Sequence, residues 1–239
     1  MPPLYIALST AILVATLGSD PTQTVINGQE YLECFASVST GDSDLPIILR
    51  SFTKKTGCTS VLRTKKKDDL VMISGELSLV SDKDSPNDGL PVVGLNSICS
   101  ATKDQYFNEA ILVGRFSGQA KDTDSQKSAS RTLAVNRYPG GNQVTDWFRV
   151  RGYDKLRTKL MDSPKGTVCE VSGMLTPQKG ADGKVFLEVK CRYCRVHQKG
   201  SGGKNTIDPA KGTSAAGYDH ESFTGNDEAE EMPPSQSWS

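Results

Sequence analysis

One stretch of the chain, TDWFRVRGYDKL from Thr145 to Leu156, concentrates side chains that could bind a polyanion. If this stretch forms a strand, alternation places its aromatic and basic side chains on one face: Trp147, Arg149, Arg151 and Tyr153. The opposite face carries core-like residues: Phe148, Val150 and Gly152. Aromatic rings stack on unpaired bases and guanidinium groups bind phosphate, so the first face is typical of single-strand recognition. The alternative is a solvated strand face with a Trp that covers the end of the fold.

The charge of the chain is segregated, although Lys and Arg total 28 and Asp and Glu also total 28. Residues 1–105 carry 9 basic and 12 acidic side chains, residues 106–199 carry 17 and 9, and residues 200–239 carry 2 and 7. The net charges by subtraction are therefore −3, +8 and −5. A basic block attracts polyanions whatever its neighbours carry, so the middle block favours nucleic acid as a partner.

Patterns for catalysis and metal binding are weak. The chain has two histidines, His197 and His220, and it lacks the phosphate-binding loop, the nucleophile elbow and the HExxH zinc motif. We therefore expect neither an enzyme nor a cofactor. Cys191, Cys194 and His197 have a metal-like spacing, but positions three apart on a strand face opposite ways, which disfavours zinc. The six cysteines are irregularly spaced and four lie in apolar runs, which indicates a reducing compartment.

The chain also repeats itself at a nearly constant interval. The segment ILVATL at residues 12–17 recurs as ILVGRF at residues 111–116, and LVMISGELS at residues 70–78 recurs as VCEVSGMLT at residues 168–176. In each copy two strand-like runs and a basic, helix-compatible linker separate these segments, and an Asp-Gly turn precedes a last apolar run. Five strands with a helix between the third and the fourth are the plan of the OB-fold, a small Greek-key barrel. A β-sandwich of short strands is the rival fold.

The repeat predicts an all-β protein with two tandem OB-fold barrels, at residues 1–105 and 106–199. Residues 200–239 mix Gly, Ser, Pro and acidic residues, a composition that predicts a disordered tail. The apolar segment at residues 4–18 lacks a basic flank and is too short to span a membrane. We interpret it as the buried first strand of the first barrel rather than as a signal peptide.

The second copy resembles the bacterial-type single-stranded DNA-binding proteins (SSB). The resemblance begins with NEAILVGRF at residues 108–116 and TLAVNR at residues 132–137, and continues with TDWFRV at residues 145–150, where the family typically has T-E-W-H-R-V. It ends with three short matches: Lys155-Leu156, Lys165-Gly166 and EVSGML at residues 170–175. Asp154 departs from the family, which has Gly before the Lys, and this departure puts the local turn in question.

The resemblance implies sequence-nonspecific binding of single-stranded DNA in replication, recombination and repair. It implies base stacking for Trp147 and Tyr153, and Tyr138 lies beside the position of a third stacking aromatic. Charge and facing indicate phosphate contacts for four arginines, of which Arg149 could equally be structural: Arg115, Arg137, Arg149 and Arg151. RNA is not excluded, because a stacking platform need not contact the 2′-OH.

The first copy lacks much of this pattern. Pro46 stands in the place of Trp147, and only Arg50 and Phe52 echo the basic and aromatic positions of the second copy. We include Arg50 and Phe52 among the candidate DNA contacts, while favouring a packing or dimerising barrel over a second DNA groove. The run Lys65–Lys67 either contacts phosphate or is solvated. For the whole chain, the alternative function is an OB-fold protein-interaction module, such as a primosome-type accessory protein, with weak or no DNA binding.

The resemblance also bears on assembly and location. Two barrels per chain imply a homodimer with four barrels around one strand, in the bacterial cytoplasm at the nucleoid or in a plastid. The family's acidic tail docks replication and repair proteins, so the same role is implied here, the alternative being a solubilising tail. The candidate partner-binding residues of the tail are Asp227, Glu228, Glu230, Glu231 and Trp238.

Overall fold

The computed structural model describes residues 8–41, 43–80, 85, 87–123, 127–139, 142–179 and 185–198. The first half contains β1 (Ser9–Leu17), β2 (Thr22–Ile26), β3 (Gln29–Ser39), β4 (Asp44–Phe52), α1 (Thr56–Arg63), β5 (Leu70–Leu79) and β6 (Pro91–Ser100). The second half contains β7 (Asn108–Thr123), β8 (Ser128–Arg137), β9 (Val144–Tyr153), α2 (Asp154–Asp162), β10 (Val168–Lys179) and β11 (Val185–Gln198).

The strands of each half close into a five-stranded barrel. In the first half β1 pairs with both β3 and β5, β5 pairs with β6, and β6 runs parallel to β4, which pairs with β3. In the second half the same circuit joins β7, β8, β9, β11 and β10. Each barrel has its helix between the third and fourth barrel strands, as an OB-fold requires. The predicted all-β OB-fold is confirmed. The closed circuit of paired strands excludes the β-sandwich.

Alternation along the strands forms the core. In β1 the inward side chains Ala11, Leu13, Ala15 and Leu17 are fully buried, which confirms a buried first strand over Ser9–Leu17. The repeated Ser-Gly of β5 and β10 has a steric reason. A Cβ on Gly75 would lie 2.2 Å from the carbonyl oxygen of Gly94, and one on Gly173 would lie 2.1 Å from that of Lys190. Only glycine permits these two close strand approaches.

The short strand β2 was missed by the sequence analysis. It forms a hairpin with β3 through Asn27 and Gly28, whose φ angles are +52° and +74°. Two successive positive φ angles define the tight turn that Asn-Gly favours, so the sequence did contain the signal. In the second barrel the long strand β7 supplies the equivalent of both β1 and β2, with a bulge between Ser117 and Lys121 where the first barrel breaks its strand.

The two barrels are joined through their first strands. β1 and β7 pair antiparallel, from Ser9 opposite Leu112 to Leu13 opposite Asn108. The buried amide of Asn108 donates from Nδ2 to the carbonyl oxygen of Leu175 at 2.9 Å, and its Oδ1 accepts from the backbone N–H of Leu175 at 3.0 Å. These hydrogen bonds offset the cost of removing this polar side chain from water. β10 also contacts β4 of the first barrel, and β5 contacts β9 of the second.

The second barrel contains a buried cation, Arg131, which is 3% exposed. Its guanidinium donates to the carbonyl oxygens of Leu160 and Gly118, each at 2.7 Å, and also to that of Ser163. It lies 4.7 Å from the ring centroid of Phe116. Burial lowers the pKa of Arg131. These bonds connect the end of α2 with the bulge of β7.

Within the described part of the chain, neither helix has the length and apolar character that crossing a membrane would take.

Candidate nucleic-acid interface

The outer face of β9 is open because its neighbour β8 carries small side chains there. Ala134 lies opposite Trp147, Thr132 lies opposite Arg149, and Ser130 and Ser128 lie opposite the next two outward residues. Trp147 is 55% exposed, whereas the inward Phe148 and Val150 are 1% and 0% exposed. The predicted alternation is confirmed, and the indole face is accessible to a planar ligand.

Arg149 extends this face toward β11. It is exposed, and its guanidinium carbon lies 4.2 Å from the ring centroid of Phe186. Among the described residues no carboxylate lies within ion-pair distance of it. The ring holds the guanidinium flat without neutralising it, which leaves charge and a planar surface for a ligand. Phe186 was not predicted from the sequence, because β9 and β11 are far apart in the chain.

Arg151 is differently placed. Its Nε lies 2.7 Å from Oε1 of Glu188, which is 1% exposed, and the Arg151 side chain is 16% exposed. A buried carboxylate needs a close cation, so the main electrostatic role of this guanidinium is to balance Glu188. Glu188 lies between Phe186 and Lys190 on the outer face of β11. Their spacing of two residues was the signal available in the sequence.

Tyr153 ends β9 and precedes α2. The ammonium group of Lys190 lies 5.4 Å from its ring centroid, and the ring is half-buried. The residue after it, Asp154, has a φ of +49°. This is the position at which the family that the second copy resembles has Gly, and a positive φ explains that preference. Asp is one of the few other residues that adopt this conformation locally, so the turn forms here without Gly.

Arg137 and Asp146 form an ion pair that contacts both barrels. Both Asp146 oxygens accept from Arg137, whose Nη1 also lies 3.6 Å from Oε1 of Glu76 in the first barrel. Asp146 Oδ1 further accepts from the backbone N–H of Leu79 at 3.4 Å. Burial opposes the charge on Arg137, but hydrogen bonding and attraction from Asp146 outweigh it and raise the pKa of Arg137. The next residue, Tyr138, is 59% exposed.

The remaining candidates lie at separate places. Arg115 is exposed, and its Nη1 donates to the carbonyl oxygen of Gly166 at 3.2 Å. In the first barrel Arg50 Nη2 lies 2.7 Å from Glu33 Oε2, and Phe52 packs at 5.5 Å between centroids against Tyr31, an aromatic that the sequence analysis did not select. In the run Lys65–Lys67, the Lys65 ammonium donates to Ser100 Oγ at 2.5 Å. The tail candidates Asp227, Glu228, Glu230, Glu231 and Trp238 lie outside the described residues.

The expectation that Cys191 and Cys194 face opposite sides of their strand is wrong. A bulge at Arg192 shifts the register of β11, so both cysteines are buried in the core rather than facing opposite ways. His197 is outside, with Nε2 at 3.4 Å from Glu170 Oε2. Among the described residues no cluster of three or more potential metal ligands occurs.

The structure thus brings together Trp147, Arg149, Arg151 and Tyr153 on one face and adds Phe186 and Lys190 beside them. Tyr138 and Arg137 lie at the end of the neighbouring strand β8, where Arg137 is tied to Asp146. Arg50 and Phe52 lie on the corresponding face of the other barrel.

Comparisons with known proteins bear on the fold. No protein-family model matches the chain, and no curated protein matches its sequence. The wild-type single-stranded DNA binding protein from Thermus aquaticus matches with a TM-score of 0.59 and 17% identity, over 88% of this chain and 97% of that chain. A deletion mutant of the same protein matches with a TM-score of 0.59 and 14% identity, over 81% of this chain and 96% of that chain. These shares exceed either barrel alone, so the similarity in fold extends over both.

Proposed function

We propose that this protein binds single-stranded DNA without sequence preference, through the outer face of β9 and β11 in the second barrel. The observation that carries the proposal is the exposed indole of Trp147 in line with a guanidinium that no described carboxylate neutralises, that of Arg149. Base stacking on an aromatic contributes about 1 to 3 kcal/mol per base and is independent of sequence, since every base has a π face. The similarity in fold to the Thermus aquaticus protein supports the same function.

The proposed roles follow the placement of the side chains. Trp147, Tyr138 and Tyr153 stack on bases, and Arg149 and Arg115 contact phosphates. The predicted phosphate contacts of three further arginines stay predictions, because each guanidinium already lies against a carboxylate: Arg137, Arg151 and Arg50. We propose replication, recombination and repair as the setting, because these processes expose single strands.

The direct test is tryptophan fluorescence during titration with oligo(dT) at low and high salt. Trp238→Phe leaves Trp147 as the single tryptophan, so quenching in this variant reports on the β9 face. We expect strong quenching that salt reverses, because phosphate binding releases counterions. Trp147→Ala should weaken binding by about 1 to 3 kcal/mol, whereas the matched variant Trp147→Phe keeps a ring and should keep most of the affinity.

Two results would contradict the proposal. One is the absence of binding at low salt, which would leave a protein-interaction module as the function. The other is equal affinity for duplex and single strand, because a duplex hides the base faces on which Trp147 would stack. Binding by Trp147→Phe and Trp147→Ala is measured by anisotropy of a labelled oligonucleotide, since both lack the fluorescent reporter.

The proposal extends to assembly. The outer surface of the paired strands β5, β1, β7 and β10 carries half-buried apolar side chains near its centre: Met72, Ile12, Ile111 and Val113. An apolar face on paired strands is suited to a second copy of the chain, which would give a dimer with four barrels. Light scattering should give the mass of two chains, and a monomer at micromolar concentration would contradict the dimer.

The proposal also includes a role for the acidic residues 227–231 in binding replication and repair proteins, in a bacterial or plastid compartment. The support is their charge and the resemblance of the second copy. Deletion of residues 200–239 should leave single-strand binding intact. Loss of single-strand binding in that variant would contradict the assignment of these acidic residues to protein partners.

A further inference from the structure

In each barrel the segment that contains the helix joins the third and fourth barrel strands. We call residues 53–69, which include α1, the helical side of the first barrel, and residues 154–167, which include α2, that of the second. The first segment has 6 basic and 2 acidic side chains, and the second has 4 and 2, so the net charges by subtraction are +4 and +2. The helical side of the acidic barrel is therefore more basic than that of the basic barrel.

The cations on the helical side of the first barrel are not neutralised by ion pairs. Within the part of the chain that the structure describes, no carboxylate lies within ion-pair distance of any of the six: Lys54, Lys55, Arg63, Lys65, Lys66 and Lys67. Lys55 donates to Oδ1 of Asn96 at 2.9 Å, and Lys65 donates to Oγ of Ser100 at 2.5 Å. These partners are neutral, so the charge of both ammonium groups remains.

The helical side of the second barrel differs, because two of its four cations already serve the fold. Arg157 Nη2 lies 2.7 Å from Oδ1 of Asp122 on β7. The ammonium group of Lys159 donates to the carbonyl oxygen of Cys194 on β11 at 2.6 Å. The first barrel therefore offers an incoming polyanion more charge on this side than the second barrel does.

The run Lys65–Lys67 has a fixed backbone, although it lies outside the helices and strands. Asp69 Oδ2 accepts from the backbone N–H of Lys66 at 2.9 Å, and Asp20 Oδ1 accepts from that of Lys67 at 2.8 Å. The nearby carboxylates thus bind the backbone of the run and not its ammonium groups. A fixed backbone favours a binding role over a merely solvated run, because less conformational freedom is lost when a ligand binds.

The side chains of this surface suit phosphates rather than bases. Asn96 and Ser100, which hold two of the ammonium groups, are four positions apart on β6, or roughly 13 Å at the rise of a strand. Charge spread over that length fits an extended polyanion better than a single small anion. Residues 53–69 contain no aromatic side chain, whereas Ser60 and Arg63 are exposed on α1. Hydroxyl and basic side chains contact phosphate, and base stacking needs a ring.

We propose that the helical side of the first barrel binds the phosphates of duplex nucleic acid, through Lys55, Arg63 and the run Lys65–Lys67. A duplex presents its phosphates without unpaired bases and at a higher charge density than a single strand does. An acidic protein segment is the less suited occupant, because Val61 is the one exposed large apolar side chain of residues 53–69 and a peptide site needs apolar pockets for its side chains.

The proposal goes beyond the proposed function, which concerns the aromatic face of the second barrel. Duplex alone should bind more weakly than single strand, because no ring adds a stacking contribution. A protein with both surfaces should bind a junction between single strand and duplex more tightly than it binds either part alone.

The test measures binding of the full chain to a labelled blunt duplex, by anisotropy across a range of salt concentrations. The double variant Lys66→Gln with Lys67→Gln removes two exposed cations from the surface. Each phosphate contact on a duplex contributes about 0.9 to the slope of log affinity against log salt, so the slope should fall by about 1.8. A tenfold rise in salt should therefore cost the variant about 60-fold less affinity than it costs the unaltered protein.

The matched control is Lys155→Gln with Lys165→Gln, which removes two exposed cations from the helical side of the second barrel. The net charge of the chain falls equally in both double variants, so the duplex slope should stay unchanged in the control. Trp147→Ala should also leave duplex binding unchanged, because a duplex hides its base faces. A duplex with an oligo(dT) overhang should bind the unaltered protein more tightly than duplex or oligo(dT) alone, and the Lys66 and Lys67 variant should lose this gain.

The outcomes separate this inference from the proposed function. The duplex site is wrong if the duplex slope of the Lys66 and Lys67 variant is unchanged, if the control lowers it equally, or if the unaltered protein binds no duplex at low salt. A variant that keeps duplex binding but loses affinity for labelled poly-glutamate would assign the surface to an acidic protein and would also overturn the proposal. Quenching of Trp147 by a short oligo(dT) tests the proposed function alone, and it should persist when Lys66 and Lys67 are replaced.

Discussion

The salt dependence of binding distinguishes an arginine that contacts phosphate from one that balances a carboxylate. Arg149 lies on a ring with no described carboxylate near it, whereas Arg137 is bound by Asp146 and Glu76. Both belong to the basic second barrel, and both were predicted from the sequence as phosphate contacts. We expect Arg149→Ala to change the salt slope and the loss of Arg137 to leave it unchanged.

The magnitude follows from counterion release. On a single strand each neutralised phosphate contributes about 0.7 to the slope of log affinity against log salt. Arg149→Ala should therefore lower the slope by about 0.7, so a tenfold rise in salt costs the variant about fivefold less affinity than it costs the unaltered protein. Arg149→Lys keeps the charge and should keep the slope, even though it loses the planar contact with Phe186.

The control for Arg137 must not leave the buried carboxylate of Asp146 unbalanced. In the double variant Arg137→Gln with Asp146→Asn both charges are removed, and an amide oxygen remains to accept from the N–H of Leu79. Fluorescence titrations with oligo(dT) at five or more salt concentrations give the slopes. If the double variant lowers the slope as much as Arg149→Ala does, then Arg137 reaches phosphate despite its ion pairs, and the assignment of roles from ion pairing is refuted.

Two further predictions concern stability. Arg131→Met should lower the free energy of unfolding by about 3 kcal/mol in urea titrations, because three carbonyl acceptors, one buried and two partly buried, lose a charged donor and relief of the buried cation offsets only part of that loss. Unchanged or higher stability would contradict this account. Burial, and secondarily the charge of Glu33, raise the pKa of Cys34 to about 12. The unfolded thiol titrates near pH 8.5, so its contribution to stability is complete below that pH and is lost at about 1.4 kcal/mol per pH unit as pH rises toward 12. Cys34→Ala should flatten the fall between pH 9 and 11, and an equally steep fall in the variant would show that other groups cause it.

The features predicted correctly from the sequence are those that depend on residues close together in the chain. Alternation along Asp146 to Tyr153 separated the buried from the exposed side chains correctly, because a strand has a period of two whatever lies beside it. The repeated Ser-Gly segments marked equivalent strands, since a Cβ at Gly75 or Gly173 would collide with the facing backbone. The hairpin at Asn27-Gly28 was also within reach of pattern and was overlooked.

Contacts between side chains on different strands could not be predicted from the sequence. Whether an arginine is neutralised depends on residues such as Glu188, which is 37 positions from Arg151 in the chain. It becomes the neighbour of Arg151 only through the parallel pairing of β9 with β11. The same limit hid Tyr31, whose contact with Phe52 on β4 requires the β3–β4 register. The bulge at Arg192, which turns Cys191 and Cys194 to one side, is a further effect of pairing between strands.

Net charge is therefore an incomplete guide to the strength of the proposed binding to a polyanion. The second barrel carries an excess of basic side chains, but some of its arginines serve the fold: Arg131 ties α2 to β7, while Arg137 and Arg151 balance buried carboxylates. A cation that already balances a carboxylate releases no counterion when DNA arrives, so it adds nothing to the salt slope. The first barrel reaches the same neutral state at Arg50 with a carboxylate from another strand, and it keeps its aromatic rings. The proposed contacts of each arginine with phosphate are therefore better judged from its ion pairs than from the net charge of its barrel.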